Sequence, residues 1–230
     1  MHLGKKFVAF IPARSGSKRL PKKNIKDLCG KPLVEWTIDA AKNSKYLDKI
    51  YVSSDDEKIN KISIKKNISI LDRPQNLSSD KSKMVDLIDF LIKSIPEDFD
   101  YFVLLQPTSP LRNSDHIDEA IETLIEKRGN AIVSLSRAQH TPLWCHPIRK
   151  NGRIDSFLPN EIKNAQSQDL KEFFCLNGAI YIVNIEIFLE QKTFFPSKTF
   201  PFVMEEKYSI DIDNEFDFAF AEFLISKKNK

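Results

Sequence analysis

The sequence predicts an α/β fold built around a mostly parallel sheet. Short apolar runs, each suited to one buried strand, alternate along the 230 residues with longer stretches whose apolar side chains recur at helical spacing. This alternation is typical of right-handed βαβ units. The length fits a single domain, predicted to span residues 1–230, and no internal repeat or linker divides it.

The first half of the chain contains three predicted strands and three predicted helices. FVAFI is a short, wholly apolar run, which is typical of a strand buried on both faces. Pro32 favours a helix start, because a backbone N–H is not needed in the first turn. The strands are FVAFI (7–11), KIYVSSD (49–55) and YFVLLQ (101–106), and the helices are PLVEWTIDAAKNS (32–44), DEKINKISIKKN (56–67) and KMVDLIDFLIKSI (83–95).

The second half continues this alternation with one interruption. Ser114 is the predicted N-cap of the helix SDHIDEAIETLIEK. AIVSLS (131–136) and GAIYIV (178–183) follow as strands, and DNEFDFAFAEFLISKK (213–228) is a predicted amphipathic helix with cations at its end. Residues 139–175, approximately, show turn signals and weak periodicity, which predict a long functional loop or a small inserted subdomain.

Charge and cysteine content exclude several classes of protein. Thirty-five basic and thirty-two acidic residues leave a net charge of +3, which is too balanced for a general nucleic-acid coat. No apolar run approaches the roughly 18 residues of a membrane span. Cys29, Cys145 and Cys175 lie far apart and form no CxxC pair, which favours a cytoplasmic protein. We therefore expect neither a nucleic-acid partner nor a membrane.

The loop after the first strand, IPARSGSKRLPKKN (11–24), concentrates positive charge. Small residues at 15–17 let backbone N–H groups approach an anion, and ligands of open α/β sheets gather beyond the carboxyl ends of strands. A P-loop would need glycine where Pro21 stands, and GxGxxG is absent. A triphosphate would relieve the repulsion among the loop's cations. Those cations are Arg14, Lys18, Arg19, Lys22 and Lys23.

Two carboxylates, Asp211 and Asp213, flank Ile212 near the end of the chain. Alternate residues of a strand point to one side, so both carboxylates can face one cation. Mg²⁺ favours one or two carboxylates together with substrate phosphates and water. The pattern alone also fits a helix cap or two solvated side chains.

A series of motifs in order resembles the CMP-nonulosonate synthetases, the acylneuraminate cytidylyltransferase family. They are IPARSGSKRLPKKNI with GKPLVEWTIDAA, then LDRPQNLSSD, LLQPTSPLR, LNGAIYIV and YSIDIDNEFDFAFAE. The resemblance covers nearly the whole chain. It implies a three-layer, Rossmann-like nucleotidyltransferase fold. It also implies an enzyme that transfers CMP from CTP to the anomeric hydroxyl of a nine-carbon acidic sugar, of sialic or legionaminic type, and releases pyrophosphate.

The same resemblance implies roles for individual residues, with Mg²⁺ as the cofactor. The implied catalytic residues are Arg14, Lys23, Asp211 and Asp213, of which Asp211 and Asp213 hold the metal. The implied nucleotide-binding residues are Arg14, Ser17, Lys18, Lys23, Asn24, Arg73 and Ser82. The implied sugar-binding residues are Gln106, Asn177, Tyr181, Phe194 and Phe195.

The segment 139–175 also acquires an interpretation from the family. There, an insertion forms a dimer and brings cations toward the partner's active site, so we expect a homodimer. Trp144 and Cys175 stand where relatives carry lysine or arginine, and Arg149 and Arg153 are the candidate replacements.

Two alternatives remain open. The stretch GSKRLPKKNIKDLCGKP is similar to the pseudaminic acid branch of the family, whereas LLQPTSPLR favours the sialic and legionaminic branch. The other alternative is a non-catalytic nucleotide-binding protein on the same fold. Asp211, Asp213 and Lys23 argue against it, because binding alone does not need a two-carboxylate metal site.

Overall fold

A computed structural model describes residues 2–79, 81–148, 150–155, 157–166 and 169–228. Within these ranges the chain forms nine strands and six α-helices. The strands are β1 Phe7–Pro12, β2 Asp27–Leu28, β3 Lys31–Pro32, β4 Lys49–Ser54, β5 Ser69–Asp72, β6 Tyr101–Leu104, β7 Ala131–Arg137, β8 Phe174–Asn184 and β9 Thr199–Met204. The helices are α1 Leu33–Lys42, α2 Glu57–Lys65, α3 Met84–Ser94, α4 Ser114–Glu126, α5 Ile185–Gln191 and α6 Glu215–Lys228.

Seven strands form one sheet in the order β5-β4-β1-β6-β8-β7-β9. The first four strands in this order pair in parallel, and β9 is parallel to β7. Only β8 runs antiparallel to both of its neighbours. The predicted mostly parallel sheet is confirmed, and β2 and β3 form a separate short ladder beside it.

Strand β1 lies near the middle of the sheet and is buried along its whole length. Phe7, Ala9 and Ile11 face one apolar cluster, and Val8 and Phe10 face another on the opposite side of the sheet. Both faces of this strand are therefore apolar, which explains why FVAFI contains no polar residue.

Helices cover both faces and complete three layers. Apolar residues of α1, α2 and α4 pack on one face of the sheet, and those of α3 and α5 pack on the other. A third cluster joins α6 to the start of α1 and to β2. No helix in the described ranges is long and apolar enough to cross a membrane.

Five elements were not predicted, namely the two-residue strands β2 and β3 together with β5, β9 and α5, and two details of the prediction were wrong. The strands β5 and β9 and the helix α5 are each seven residues or shorter, so they offer little periodicity. Asn113, not Ser114, is the N-cap of α4, and it forms a capping box with His116. Helix α6 is not amphipathic, because Phe216 and Phe220 are exposed opposite the buried Phe218.

Between β7 and β8 the described residues form no strand, and residues Pro142–Trp144 form a 3-10 turn. This irregular stretch corresponds to the predicted loop or insertion at 139–175. Its apolar side chains Ile148 and Ile154 are exposed.

An ion-pair network between α3 and α5 makes part of the stability depend on pH. Asp89 lies 2.8 Å from Lys93 and also pairs with Lys192, and these lysines hold the pKa of the Asp89 carboxyl below its usual range. A lowered carboxyl pKa adds stability above the ordinary pKa, and that stability disappears as the pH falls through the lowered value. We expect Asp89→Asn to reduce the free energy of unfolding at about pH 7 by up to about 1 kcal/mol.

The cost of this substitution should be smaller at about pH 3, below the ordinary aspartate pKa of about 3.9, because the stabilisation is lost progressively as the pH falls toward the lowered value. Urea unfolding at the two pH values measures the difference. Exposed Asp98 provides the control substitution, Asp98→Asn, which should change stability little at either pH. An equal loss for Asp89→Asn at both pH values would contradict the electrostatic explanation.

Candidate active site

A cavity of about 210 Å³ opens at the carboxyl ends of β1 and β6. Its wall contains residues from five separate parts of the chain: the loop after β1, the turn after β5, the start of α3, the loop after β6, and the segment before α6. The sequence-predicted residues that line it are Arg14, Ser17, Lys23, Asn24, Arg73, Gln106, Asp211 and Asp213.

The basic loop after β1 is held at both of its ends. The Ser15 backbone N–H and hydroxyl both donate to the Asp55 carboxylate, at 2.7 and 2.9 Å. The Asn24 side-chain nitrogen donates to the Arg14 carbonyl at 2.9 Å, which closes the loop, and the Asn24 side-chain oxygen is buried with no hydrogen-bond partner among the described residues. Asp55 was not predicted, although its position directly after β4, at the same sheet edge, was a usable signal.

Lys23 begins a 3-10 turn, Lys23–Ile25, after Lys22 adopts left-handed backbone with φ 55°. This turn directs the Lys23 side chain inward, where only 10% of it is exposed. Its ammonium donates to the Ile212 carbonyl and lies 3.6 Å from the Asp213 carboxylate. Burial lowers the pKa of Lys23, and the charge of Asp213 opposes that shift.

The two carboxylates flank a buried anchor. Ile212 is fully buried against Leu28 and Phe218, and its N–H donates to the Thr108 carbonyl at 2.8 Å. The segment lies outside the named strands, so the predicted strand here is wrong. Asp211 and Asp213 nevertheless both face the cavity, because burial of Ile212 and its bond to Thr108 impose the alternation.

Helix α6 starts immediately after this segment with a fixed geometry. The Asn214 side chain accepts a hydrogen bond from the Asp217 N–H at 3.1 Å, and the Asp217 carboxylate accepts from the Asn214 N–H at 3.0 Å. The same Asp217 oxygen accepts from the Asp213 N–H at 2.9 Å. The helix start therefore fixes the backbone that carries Asp213.

Asp211 is open to the water of the cavity, yet the surrounding walls reduce its hydration. This desolvation raises the pKa of the Asp211 carboxyl, and the neighbouring Asp213 charge adds to the shift. Asp213 itself lies 3.0 Å from the exposed guanidinium of Arg19. The two carboxylates therefore repel each other, and the ion pairs of Asp213 with Arg19 and Lys23 offset part of that repulsion.

Two arginines form the side of the cavity nearest the turn Gln75–Leu77. Arg73 donates twice to the Leu77 carbonyl, at 2.9 and 2.7 Å, and its burial lowers its pKa. Arg14 reaches the Ser78 carbonyl at 3.5 Å. The cavity wall therefore has two arginines beside this turn and, elsewhere, Lys23 next to the Asp213 carboxylate.

Gln106 lies on the cavity wall beside Gly178, which was predicted only as the first residue of the strand GAIYIV. Gly178 has φ +73°, and a side-chain carbon built on it would lie 3.6 Å from the Gln106 amide nitrogen and 3.8 Å from the Asp211 carboxylate. The left-handed backbone favours glycine here, whereas a side-chain carbon at this position would make only ordinary van der Waals contacts. Gly178 is thus a site residue that sequence reasoning missed.

Asn177 does not line the cavity but supports Gly178 from behind. It is 4% exposed, and its oxygen accepts hydrogen bonds from the Ser134 hydroxyl at 2.6 Å and the Ala179 N–H at 3.1 Å. Its nitrogen donates to the Ser209 hydroxyl at 3.0 Å. The structure therefore gives the predicted sugar-binding amide an internal role.

The remaining predicted residues lie around the cavity rather than on its wall. Tyr181 and Phe194 pack 5.5 Å apart in the aromatic core cluster around Phe102, whereas Phe195 is exposed. Burial raises the pKa of Tyr181, and the charge of Asp211 adds to this, so the two side chains are near each other.

Two predicted nucleotide contacts and the replacement cations also lie off the wall. Lys18 is exposed on the basic loop, and the Ser82 hydroxyl donates to the Asn76 carbonyl at 2.9 Å. Arg149 lies outside the described residues, and Arg153 pairs with Asp155 at 2.9 Å.

The architecture defines the class of protein. A structure described as CMP:2-keto-3-deoxy-manno-octonic acid synthetase complexed with CTP superposes with a TM-score of 0.71 at 15% identity, covering 97% of this chain and 99% of that one. That identity is low enough that the likeness concerns the fold alone. The fold is that of the nucleotidyltransferases, as the motifs implied.

The chain belongs to the cytidylyltransferase family. The family model for cytidylyltransferases matches residues 8–228, which is nearly the whole chain. This match and the similarity to the named relatives together confirm the resemblance to CMP-nonulosonate synthetases.

Three curated relatives give the level of similarity. An N-acylneuraminate cytidylyltransferase of Streptococcus agalactiae serotype III is 42% identical over 92% of this chain, which spans about half (51%) of that protein. A CMP-N,N'-diacetyllegionaminic acid synthase of Legionella pneumophila is 38% identical, with 96% of each chain covered. A pseudaminic acid cytidylyltransferase of Campylobacter jejuni is 30% identical over 95% of this chain and 96% of that one.

The internal role of Asn177 predicts a loss of stability on substitution. In Asn177→Ala, the Ser134 hydroxyl and the Ala179 N–H lose a buried acceptor, so we expect the free energy of unfolding to fall by about 1–3 kcal/mol. Urea unfolding followed by circular dichroism measures the loss. Exposed Asn43, with Asn43→Ala, is the matched control and should stay near wild type. A stable Asn177→Ala protein would contradict this role.

Proposed function

We propose that this protein transfers CMP from CTP to the anomeric hydroxyl of a nine-carbon acidic sugar of sialic or legionaminic type. The sugar oxygen bonds to the α-phosphorus, the bond from that phosphorus to the bridging oxygen breaks, pyrophosphate leaves, and the hydroxyl proton passes to solvent. One observation carries the proposal: a single cavity contains Lys23, Asp211 and Asp213 together with the arginines that face its other end.

Arg14 and Lys23 are the proposed catalytic cations. Negative charge grows on the phosphoryl oxygens and on the leaving group during such a transfer, and fixed cations stabilise it without reorganising. Lys23 is held by the Ile212 carbonyl and lies mostly out of water, where its charge is less screened. Ser17, Lys18, Asn24, Arg73 and Ser82 are the other proposed nucleotide contacts.

The residues at the acidic end fit a magnesium ion. The described residues contain no cluster of three or more histidine, cysteine or acidic side chains, as a metal cage made by protein alone would need. Mg²⁺ instead favours one or two carboxylates completed by phosphate oxygens and water. Asp211 and Asp213 would hold it, and when bound it would neutralise phosphate charge.

Gln106 is proposed to bind the sugar. Its amide lies on the cavity wall next to Gly178, on the same side as Asp211. Tyr181, Phe194 and Phe195 are proposed to shape the apolar border of that end. Asn177 is proposed to contribute indirectly, through Gly178.

The sequence identities to the relatives favour a sialic or legionaminic acid substrate over pseudaminic acid. The relatives named for acylneuraminate and legionaminic acid share 42% and 38% of their aligned residues with this chain, against 30% for the pseudaminic acid enzyme. The activity is therefore proposed for sialic and legionaminic substrates first.

We further propose a cytoplasmic homodimer. The exposed apolar side chains Ile148, Ile154 and Leu176, in and beside the segment 139–175, support an interface there. The free thiols Cys145 and Cys175 are exposed, which suits a reducing compartment.

A substrate panel tests the proposed reaction directly. The purified chain, CTP and Mg²⁺ are incubated with sialic, legionaminic or pseudaminic acid, and pyrophosphate release and CMP-sugar formation are measured. We expect release with a sialic or legionaminic acid and much less with pseudaminic acid. Release with none of the three sugars would contradict the proposal, and CTP binding without turnover would favour the non-catalytic alternative.

Removal of the acidic pair or of the metal should stop turnover. Asp211→Asn keeps the shape of the side chain but removes its charge, so we expect turnover to fall by at least about 100-fold while the protein stays folded. Chelation of divalent metal should abolish activity, and added Mg²⁺ should restore it. Glu222→Gln, on an exposed position of α6, is the matched control. Full activity of Asp211→Asn would contradict the metal role.

A further inference from the structure

Arg112 is a buried guanidinium behind the cavity. It ends the loop 106–112 that follows β6, and only 1% of the residue is exposed. Burial lowers its pKa to about 9. No carboxylate contacts it among the described residues, so nothing there neutralises its charge.

The hydrogen bonds of Arg112 converge on the backbone of Gln106, the proposed sugar-binding residue. One Arg112 nitrogen, Nη2, donates to the Thr37 hydroxyl at 2.8 Å and to the Gln106 carbonyl at 3.4 Å. The same carbonyl accepts from the Thr37 hydroxyl at 3.4 Å and from the Ser109 N–H at 3.3 Å. Three donors therefore surround one carbonyl oxygen.

The loop is also closed on itself. The Arg112 N–H donates to the Ser109 carbonyl at 3.3 Å, and the Leu105 N–H donates to the Phe10 carbonyl at 3.0 Å. The peptide that carries Gln106 is thus fixed between the central strand β1 and the guanidinium. The Gln106 side-chain amide lies beside Gly178, because a side-chain carbon built on that glycine would be 3.6 Å from the amide nitrogen.

A buried arginine is a costly way to support a loop. Its Nε and Nη1 have no hydrogen-bond partner among the residues that the structure describes, and a buried charge without an opposite charge destabilises a fold. An apolar residue of similar volume would fill the same space at less cost. The distinctive contribution of Arg112 is its directed donation toward Thr37 and Gln106.

We propose that Arg112 is a positioning residue for the sugar site, acting through the Gln106 carbonyl. This inference rests on the proposed function. Its consequence is selective: the sugar end of the cavity depends on Arg112, whereas the nucleotide end, formed by the loop after β1 and the turn after β5, does not contact it.

Three substitutions in the full chain test this role. Arg112→Met removes the charge and the donors, Arg112→Lys retains a charge without the planar fork, and Thr37→Val removes only the hydroxyl while keeping the shape. Lys127→Met removes an exposed cation just beyond α4 and is the control. The measurements are KM for the sugar, KM for CTP, CTP affinity by calorimetry, and the thermal midpoint.

The expected result is a separation of the two KM values. The KM for the sugar should rise about tenfold to a hundredfold in Arg112→Met, as expected when a charged hydrogen bond is lost, with smaller rises in Arg112→Lys and Thr37→Val. CTP affinity and KM for CTP should change less than about twofold in these variants. If the role were purely structural, the thermal midpoint would fall and the KM for the sugar would change no more than the KM for CTP.

The outcomes separate this inference from the function on which it rests. A wild-type protein that uses no nonulosonic acid contradicts the proposed function. An active wild type with an unchanged KM for the sugar in folded Arg112→Lys and Thr37→Val contradicts the positioning role alone. If Arg112→Met does not fold, these two milder variants decide the question.

Discussion

The site depends on one contact between distant parts of the chain, the donation from the Lys23 ammonium to the Ile212 carbonyl. The two residues are 189 positions apart, and their meeting brings the basic loop after β1 against the acidic segment before α6. The contact is buried, so a mispositioned Lys23 would leave a charge without a partner in the interior. The inward direction of Lys23 therefore explains why basic and acidic side chains share one cavity.

Around that contact, the protein balances charges before any substrate arrives. Asp213 is paired with Lys23 and Arg19, while Asp211 remains open to the cavity with a raised pKa. Arg14 and Arg73 donate to carbonyls of one turn on the opposite side. In the proposed reaction, the triphosphate would add anions near the arginines and its metal would add a cation near the carboxylates, so both groups of side chains would gain partners.

Buried polar side chains beneath the cavity fix the backbone of other site residues through hydrogen bonds. Asn177 fixes the strand that presents Gly178, and Arg112 fixes the loop that presents Gln106. Each is almost fully buried and reaches the cavity only through another residue. Positioning of this kind suits a transfer reaction in which orientation and charge, more than covalent chemistry, lower the barrier.

The sequence by itself determined the alternation of strands and helices, the position of the basic loop after a buried strand, and the family, because these follow from local patterns and matching motifs. It did not reveal β5, α5 and β9, which are short and lack periodicity, or the internal roles of Asn177 and Arg112, which depend on partners far away in the chain. Only the tertiary structure decided which predicted residues share one cavity. The physical reason is that burial of Ile212 and Lys23 sets directions that no local pattern encodes.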